Sequence, residues 1–136
     1  MNQTAFNRQN LLKALKGEHE AIAFYEALAA LADNSDMRVM IEKIRADEEK
    51  HYDGFTRLYR RLFRQEPPVM ENAKPYIEDF ETGLRTAVHD ELEAYELYRD
   101  MYLGIADPTI RNFLLEAFTD ENEHAAHELL MLTELA

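Results

Sequence analysis

The sequence predicts an all-α protein, an antiparallel four-helix bundle built from two duplicated helix pairs. Glycine and proline occur only four times each among 136 residues, of which 46% are hydrophobic, a composition typical of long helices. Four segments also carry apolar residues at steps of three and four, the spacing that places them on one helix face. A chain of this length forms one domain, which here covers residues 1–136.

Breaks in the apolar pattern place the four helices. The predicted helices lie at about residues 5–33, 36–64, 76–104 and 108–135, which gives helix pairs of about 5–64 and 76–135. Residues 33–36 (DNSD) offer capping side chains between the first two helices. Asp107 is a cap for the fourth helix, with Pro108 in its first turn.

The central connection leaves the topology open. Residues 65–74 contain Pro67 and Pro68, and ten extended residues reach at most ~33–36 Å. Helices of nearly 30 residues are ~40 Å long. A connection that runs the length of the bundle therefore needs more than these ten residues. Either the third helix starts later, near Glu81, or the second half packs against another chain in a domain-swapped dimer.

Polar residues that commonly bind metals interrupt the apolar stripes, and they recur at one fixed distance of 73 residues. Such an internal duplication predicts two equivalent helix pairs that each supply half of a site. The repeated pairs are Glu18 and Glu91, Tyr25 and Tyr98, Glu48 and Glu121, and His51 and His124.

Glu-x-x-His places a carboxylate and an imidazole side by side on one helix face. Four carboxylates facing one another inside a bundle would be costly to bury and would repel one another, unless cations lie between them. Oxygen and imidazole ligands in this pattern suit iron, and the same arrangement is known in ferritin-like di-iron and di-manganese bundles. The predicted metal ligands are Glu18, Glu48, His51, Glu91, Glu121 and His124.

Several neighbouring residues have two interpretations. One interpretation of Tyr25 and Tyr98 is that they pack in the core with their hydroxyl groups hydrogen-bonded. The other is that these hydroxyl groups belong to the catalytic site, where they hydrogen-bond to the ligand carboxylates and support them. Asp47 and Asp120 either orient the ligand histidines or lie on the helix surface. His127, one turn after His124, fits a surface or supporting histidine better than a ligand.

Three stretches carry a family resemblance: residues 17–25 (GEHEAIAFY), 47–51 (DEEKH) and 121–124 (ENEH). They resemble the ferritin-like, rubrerythrin-type family over nearly the whole chain. The resemblance implies a di-iron centre that reacts with H2O2 or O2, in a peroxidase or ferroxidase type of oxidoreductase. It assigns Glu18 and His51 to one metal and Glu91 and His124 to the other, with Glu48 and Glu121 bridging.

Two departures from that family stand out. Rubrerythrins usually carry a further glutamate three residues after the third-helix ligand, and this position is Ala94 here, so the site looks more symmetric. The chain has no cysteine, so a rubredoxin-type iron centre is absent from it and the resemblance implies an external electron donor. Manganese remains an alternative to iron at this point.

Other functions stay open from the sequence. They are an iron-storage or iron-delivery subunit, a monooxygenase resembling demethoxyubiquinone hydroxylases, and a metal-free helical module. The formal charge of −12 argues against a nucleic acid or an anionic membrane as partner. We expect a cytoplasmic protein without membrane spans, and a homodimer or higher homo-oligomer.

Overall fold

The computed structural model describes residues 5–135, in which the chain forms four helices and no strand. They are α1 (Arg8–Ala30), α2 (Ser35–Phe63), α3 (Phe80–Leu103) and α4 (Pro108–Leu135). The principal helix contacts are within the pairs α1–α2 and α3–α4, and weaker contacts of α1 with α3 and of α2 with α4 close the bundle. The predicted all-α four-helix bundle is therefore confirmed.

Side-chain caps set the beginnings of the helices. The first helix starts at Arg8 rather than at residue 5, because Asn7 is extended and its side chain accepts a hydrogen bond from the backbone N–H of Asn10 (2.8 Å). Asn34 caps α2 in the same way, and Asp107 accepts hydrogen bonds from two backbone N–H groups at the start of α4. The last two caps lie where the sequence predicts them.

The third helix begins at Phe80, four residues later than predicted. Its cap is Asp79, whose carboxylate accepts a hydrogen bond from Thr82 N (2.8 Å). The connection is consequently the 16 residues 64–79, which extended reach ~53–58 Å, more than the ~43 Å length of α2. One chain therefore closes the bundle in this structure, and the domain-swapped arrangement is not needed to complete it.

The apolar core is divided into two clusters by a layer of polar side chains. One cluster contains Leu11, Leu15, Phe55, Tyr98 and Leu114. The other is built from Leu28, Ile41, Ile44, Leu84 and Met131. The layer between them contains the repeated glutamates and histidines, which are enclosed by packed side chains on both sides. Among residues 5–135, no helix has the length and apolarity needed to cross a membrane.

Two glycines make a matched test of the packing. A Cβ on Gly54 would lie 2.3 Å from Phe113 Cε1, whose ring packs edge-on against Phe55, whereas a Cβ on Gly17 would meet nothing within 4 Å. We expect Gly54→Ala to lower the free energy of unfolding by about 1–3 kcal/mol through overpacking. Gly17→Ala should instead raise it by up to about 1 kcal/mol, because alanine favours the helix. Urea unfolding measures both, and equal effects of the two variants would contradict this packing.

Candidate metal centre

All four helices contribute to one polar cluster in the middle of the bundle. Its six members are the repeated glutamates and histidines, and each is at most 2% exposed. The cluster consists of Glu18 from α1, Glu48 and His51 from α2, Glu91 from α3, and Glu121 and His124 from α4. The structure thus brings together all six residues that the sequence predicts as ligands.

The six residues form two overlapping groups whose potential ligand atoms lie within 4.8 Å of one another. One group is Glu18, Glu48, His51 and Glu121, and the other is Glu48, Glu91, Glu121 and His124. The two groups share Glu48 and Glu121. Two such groups could each hold one metal ion, and the shared glutamates are the two that the resemblance assigns as bridging.

Each histidine is fixed by an aspartate from the other half of the chain. His51 Nε2 lies 2.8 Å from Asp120 Oδ2, and His124 Nε2 lies 2.8 Å from Asp47 Oδ2. The Nδ1 atoms point into the cluster, 3.3 Å from Glu18 Oε2 for His51 and 3.0 Å from Glu91 Oε2 for His124. A carboxylate on the outer nitrogen of a metal-binding histidine holds the ring in place and makes it a stronger ligand. Of the two interpretations of Asp47 and Asp120, the orienting one matches these contacts.

Unpaired atoms in the cluster fit metal ions. Within residues 5–135, four buried atoms of the cluster make no well-aligned hydrogen bond, although His51 Nδ1 lies 3.1 Å from Glu121 Oε1: Oε1 of Glu18, Glu48 and Glu121, and Nδ1 of His51. Buried polar atoms are almost always paired, so several unpaired acceptors in one place need a cation that they can bind jointly. Carboxylate oxygen and imidazole nitrogen are ligands for iron, manganese or zinc, and the residues present therefore fit a two-metal centre.

Without metal, the cluster retains extra protons. Burial and repulsion from Glu18 and Glu91 raise the pKa of Glu121 to about 8, and burial and repulsion from Glu18 and Glu121 raise the pKa of Glu48 well above its ordinary value. Burial alone would lower the pKa of His124, but the hydrogen bond and charge of Glu91 raise it to about 9. His51 shows the same balance: burial lowers its pKa, whereas the hydrogen bond to Asp120 and the facing carboxylates of Glu121 and Glu18 raise it.

The two repeated tyrosines hold ligand carboxylates across the bundle. Tyr25 OH donates to Glu91 Oε1 (2.8 Å), and Tyr98 OH donates to Glu18 Oε2 (2.6 Å). Each tyrosine therefore supports the glutamate of the opposite helix pair. Both hydroxyls are enclosed, and burial together with the nearby carboxylates raises the pKa of each tyrosine well above 10. Both remain neutral donors at physiological pH.

Sequence reasoning missed one buried carboxylate. Glu128 is fully buried, and its Oε2 lies 2.6 Å from Tyr25 OH. Burial and repulsion from Glu91 raise the pKa of Glu128 to about 9. The apolar stripe of α4 steps from His124 to Glu128 to Met131, so the period of the helix places it inside the bundle. Its counterpart 73 residues earlier is Phe55, and comparison of the repeats therefore did not reveal it.

A cleft of about 810 Å³ between α1 and α3 leads to the cluster. Four of the predicted ligands line it, namely Glu18, Glu48, Glu91 and Glu121, together with Tyr25 and Tyr98. Neither ligand histidine lies among the lining residues, so the cleft reaches the carboxylate side of the centre. Small side chains open it, including Ala94 at the position where rubrerythrins usually carry a further glutamate.

The remaining candidate residues lie outside the cluster. Glu49 and Glu123, which lie between the ligand-type residues of the two Glu-x-x-His motifs, have side chains that are 50% and 72% exposed and are on the surface. His127 is partly exposed and faces Glu123 at 3.7 Å. His19 Nε2 lies 2.8 Å from the carbonyl oxygen of Glu71, and this contact links α1 to the central connection.

Comparison with known proteins identifies the family. The rubrerythrin family model matches residues 9–132, which include all six cluster residues. The chain belongs to the rubrerythrin family. This rubrerythrin-family chain is also 35% identical, over 131 residues, to the uncharacterized protein YhjR of Bacillus subtilis (strain 168). That match covers 93% of the chain and 86% of the relative.

Solved structures share the fold of this rubrerythrin-family chain. A ferritin-like, di-iron-carboxylate protein from Bacillus anthracis superposes with a TM-score of 0.77 at 21% identity, covering 91% of this chain and 93% of the other. A conserved hypothetical protein from Mycobacterium tuberculosis gives a TM-score of 0.83 at 16% identity, covering 97% and 94%. At these identities the likeness establishes the ferritin-like four-helix fold.

Proposed function

We propose that this protein is a non-haem di-iron oxidoreductase that reduces H2O2 or O2. The observation that carries the proposal is the pair of overlapping Glu/His groups, with unpaired buried atoms directed at one another. When bound, two ferrous ions supply two electrons, the number needed with two protons to convert one H2O2 into two water molecules. The family membership of the chain supports iron as the metal.

The protein residues have distinct tasks in this proposal. Glu18 with His51, and Glu91 with His124, would hold one metal each, and Glu48 and Glu121 would bridge them. Tyr25 and Tyr98 keep two of the carboxylates oriented through hydrogen bonds. Because the four carboxylates carry four negative charges when ionised, they favour the more highly charged, oxidised metals.

The cleft between α1 and α3 gives the oxidant a route to the carboxylate side of the centre. The two apolar clusters exclude bulk water above and below it. Since the chain has no cysteine, we propose that an external electron donor returns the metals to the ferrous state. That donor acts on the outside of the bundle or within the cleft.

A second candidate is ferroxidase activity, in which Fe(II) is a substrate as well as the resident metal. Five acidic residues and three lysines line the outer part of the cleft. This net negative rim favours the approach of cations over anions. The acidic residues are Glu20, Asp90, Glu93, Glu96 and Asp100, and the lysines are Lys13, Lys16 and Lys74.

Stopped-flow oxidation of the iron-loaded protein tests the proposal. We expect Glu48→Gln/Glu121→Gln to lose the rapid oxidation by H2O2 and by O2, with rates at least about 100-fold lower, because both bridging ligands are gone. The matched control is Glu49→Gln/Glu123→Gln, which changes two exposed glutamates on the same helices. Equal oxidation rates in the wild type and the bridging variant would overturn the proposal.

A further inference from the structure

The two halves of the duplication differ in polarity at a buried position beside the metal centre. Tyr98 OH has Glu18 as its carboxylate partner, and the Phe55 ring packs against the Tyr98 ring with centroids 5.0 Å apart. At the equivalent place in the other half, Glu128 replaces the phenylalanine, and Tyr25 OH contacts both Glu91 and Glu128. One half of the site therefore has an aromatic neighbour where the other half has a buried carboxyl group.

We propose that Glu128 is a positioning residue that acts through Tyr25 on Glu91 and makes the two metal positions inequivalent. The inference rests on the two-metal centre of the proposed function, but not on its reaction with oxidants. The proposed effect of Glu128 is on the metal position of Glu91 and His124. The metal position of Glu18 and His51 serves as the reference.

The number of hydrogen atoms supports this arrangement. A tyrosine hydroxyl donates one hydrogen, yet Tyr25 OH lies 2.8 Å from Glu91 Oε1 and 2.6 Å from Glu128 Oε2. Two hydrogen bonds need two hydrogens, so one carboxyl group supplies the second. A ligand to a metal ion is ionised, which leaves Glu128 as the group that carries it. Glu128 then donates to Tyr25, and Tyr25 donates to Glu91.

This chain of hydrogen bonds has a defined effect on the ligand. Because the Tyr25 hydroxyl accepts a hydrogen bond from Glu128, it donates its own hydrogen to Glu91 alone. Hydrogen bonds in such buried chains polarise one another, so Glu91 receives its 2.8 Å bond from a tyrosine that Glu128 polarises. Glu18 receives its 2.6 Å bond from Tyr98, whose ring packs against Phe55 instead of a carboxyl group. A carboxylate held in this way donates less electron density to its metal. The two metals are thus bound by similar ligands in different electronic environments.

Mössbauer spectroscopy of protein loaded anaerobically with ⁵⁷Fe(II) measures the inequivalence directly. We expect two quadrupole doublets of equal area in the wild type. Glu128→Phe, which gives α4 the residue that α2 has at the equivalent position, should merge them into one doublet or reduce their difference to less than half. Glu128→Gln should keep two doublets, because the amide N–H can still donate to Tyr25. Elemental analysis of each sample reports the number of bound irons.

Two further variants cover the case in which phenylalanine is too large for the site. Glu128→Leu removes the carboxyl group from a smaller volume and should have the same effect on the spectrum as Glu128→Phe. In a Tyr25→Phe background, Glu128→Leu should leave the spectrum unchanged, since the connection to Glu91 is already absent. Thermal unfolding confirms that each variant is folded.

The outcomes separate this inference from the proposed function. Two irons per chain with one common doublet in the wild type would overturn the inference and leave the di-iron centre intact. Two doublets that persist in both Glu128→Phe and Glu128→Leu would also overturn it. A wild-type chain that binds no iron would overturn the inference and the proposed function together. Bound iron with two doublets and no reaction with oxidants would overturn only the proposed function.

Discussion

Anaerobic loading with two equivalents of Fe(II) is expected to raise the melting temperature by about 10–20 °C, and Glu48→Gln/Glu121→Gln is expected to abolish this increase. A ligand at about 30 times its dissociation constant stabilises the folded state by about 2 kcal/mol, so two occupied sites contribute about 4 kcal/mol together. For a domain of this size, 1 kcal/mol corresponds to roughly 3–5 °C. Calorimetry with and without iron measures the shift, and elemental analysis gives the stoichiometry.

The same substitution should have the opposite effect on the metal-free protein. Glu48 and Glu121 are each 1% exposed and have unpaired Oε1 atoms. Replacing them with glutamine removes buried groups that repel Glu18 and Glu91 when ionised, and keeps the side-chain volume. We expect the free energy of unfolding in the presence of EDTA to rise by about 1–4 kcal/mol. Unfolding in urea at pH 8 measures this gain.

Glu49→Gln/Glu123→Gln is again the control, and it should alter stability by no more than about 0.5 kcal/mol. A bridging variant that is less stable than the wild type without metal would show that Glu48 and Glu121 hold the bundle together by themselves. Iron-dependent stabilisation that survives in this variant would place the metal elsewhere. The first result would contradict the predicted gain in stability, and the second would contradict the two-metal centre.

The ligand cluster is the part of the structure that sequence reasoning predicted best. Glu18 and Glu91 lie on apolar stripes at equivalent positions of a duplication. The helix period therefore predicts that both residues lie in the core, and the repeat predicts that they lie at the same height along the bundle. Their cross-bundle partners, Tyr98 and Tyr25, could not be assigned, because spacing along a helix identifies the face of a residue but not the neighbour that it contacts.

Two other features depended on information beyond the local pattern. The start of α3 at Phe80 follows from the length that the connection needs to span the bundle, and Asp79 is one of several acceptable caps in that region. Glu128 lies on the apolar stripe of α4, but its repeat partner is Phe55, so the duplication argument passed over it. The helix period is consistent with the burial of Glu128, but its contact with Tyr25 is apparent only in the structure.

The stability of the metal-free protein should fall as pH rises from about 5 to 9. The folded state raises the pKa of Glu121 to about 8, and the pKa values of Glu128 and His124 to about 9, whereas the unfolded values are 4.5 for glutamate and 6.5 for histidine. In this interval the folded chain binds more protons than the unfolded chain. Linkage then requires the free energy of unfolding to decrease with pH.

The expected slope is at least about 1.4 kcal/mol per pH unit, the value for a difference of one bound proton. For the two glutamates the loss begins above pH 4.5, and for His124 it begins above pH 6.5; the losses are complete once pH exceeds the folded values. Urea unfolding in EDTA at one-unit steps from pH 5 to 9 measures the slope. Glu48→Gln/Glu121→Gln should flatten it, and a stability that rises with pH in the wild type would contradict the prediction.

Iron should reverse this dependence, because metal ions and protons compete for the same atoms. Carboxylate and imidazole bind metal only after they lose their protons, so the affinity for Fe(II) increases over the same interval in which the metal-free fold weakens. The stabilisation by iron should consequently be larger at pH 8 than at pH 5.5 when both are measured at the same free metal concentration. We expect the protons on the two histidines and on the buried glutamates to replace the positive charge of the metals, so that a bundle with four facing carboxylates can fold before metal binds.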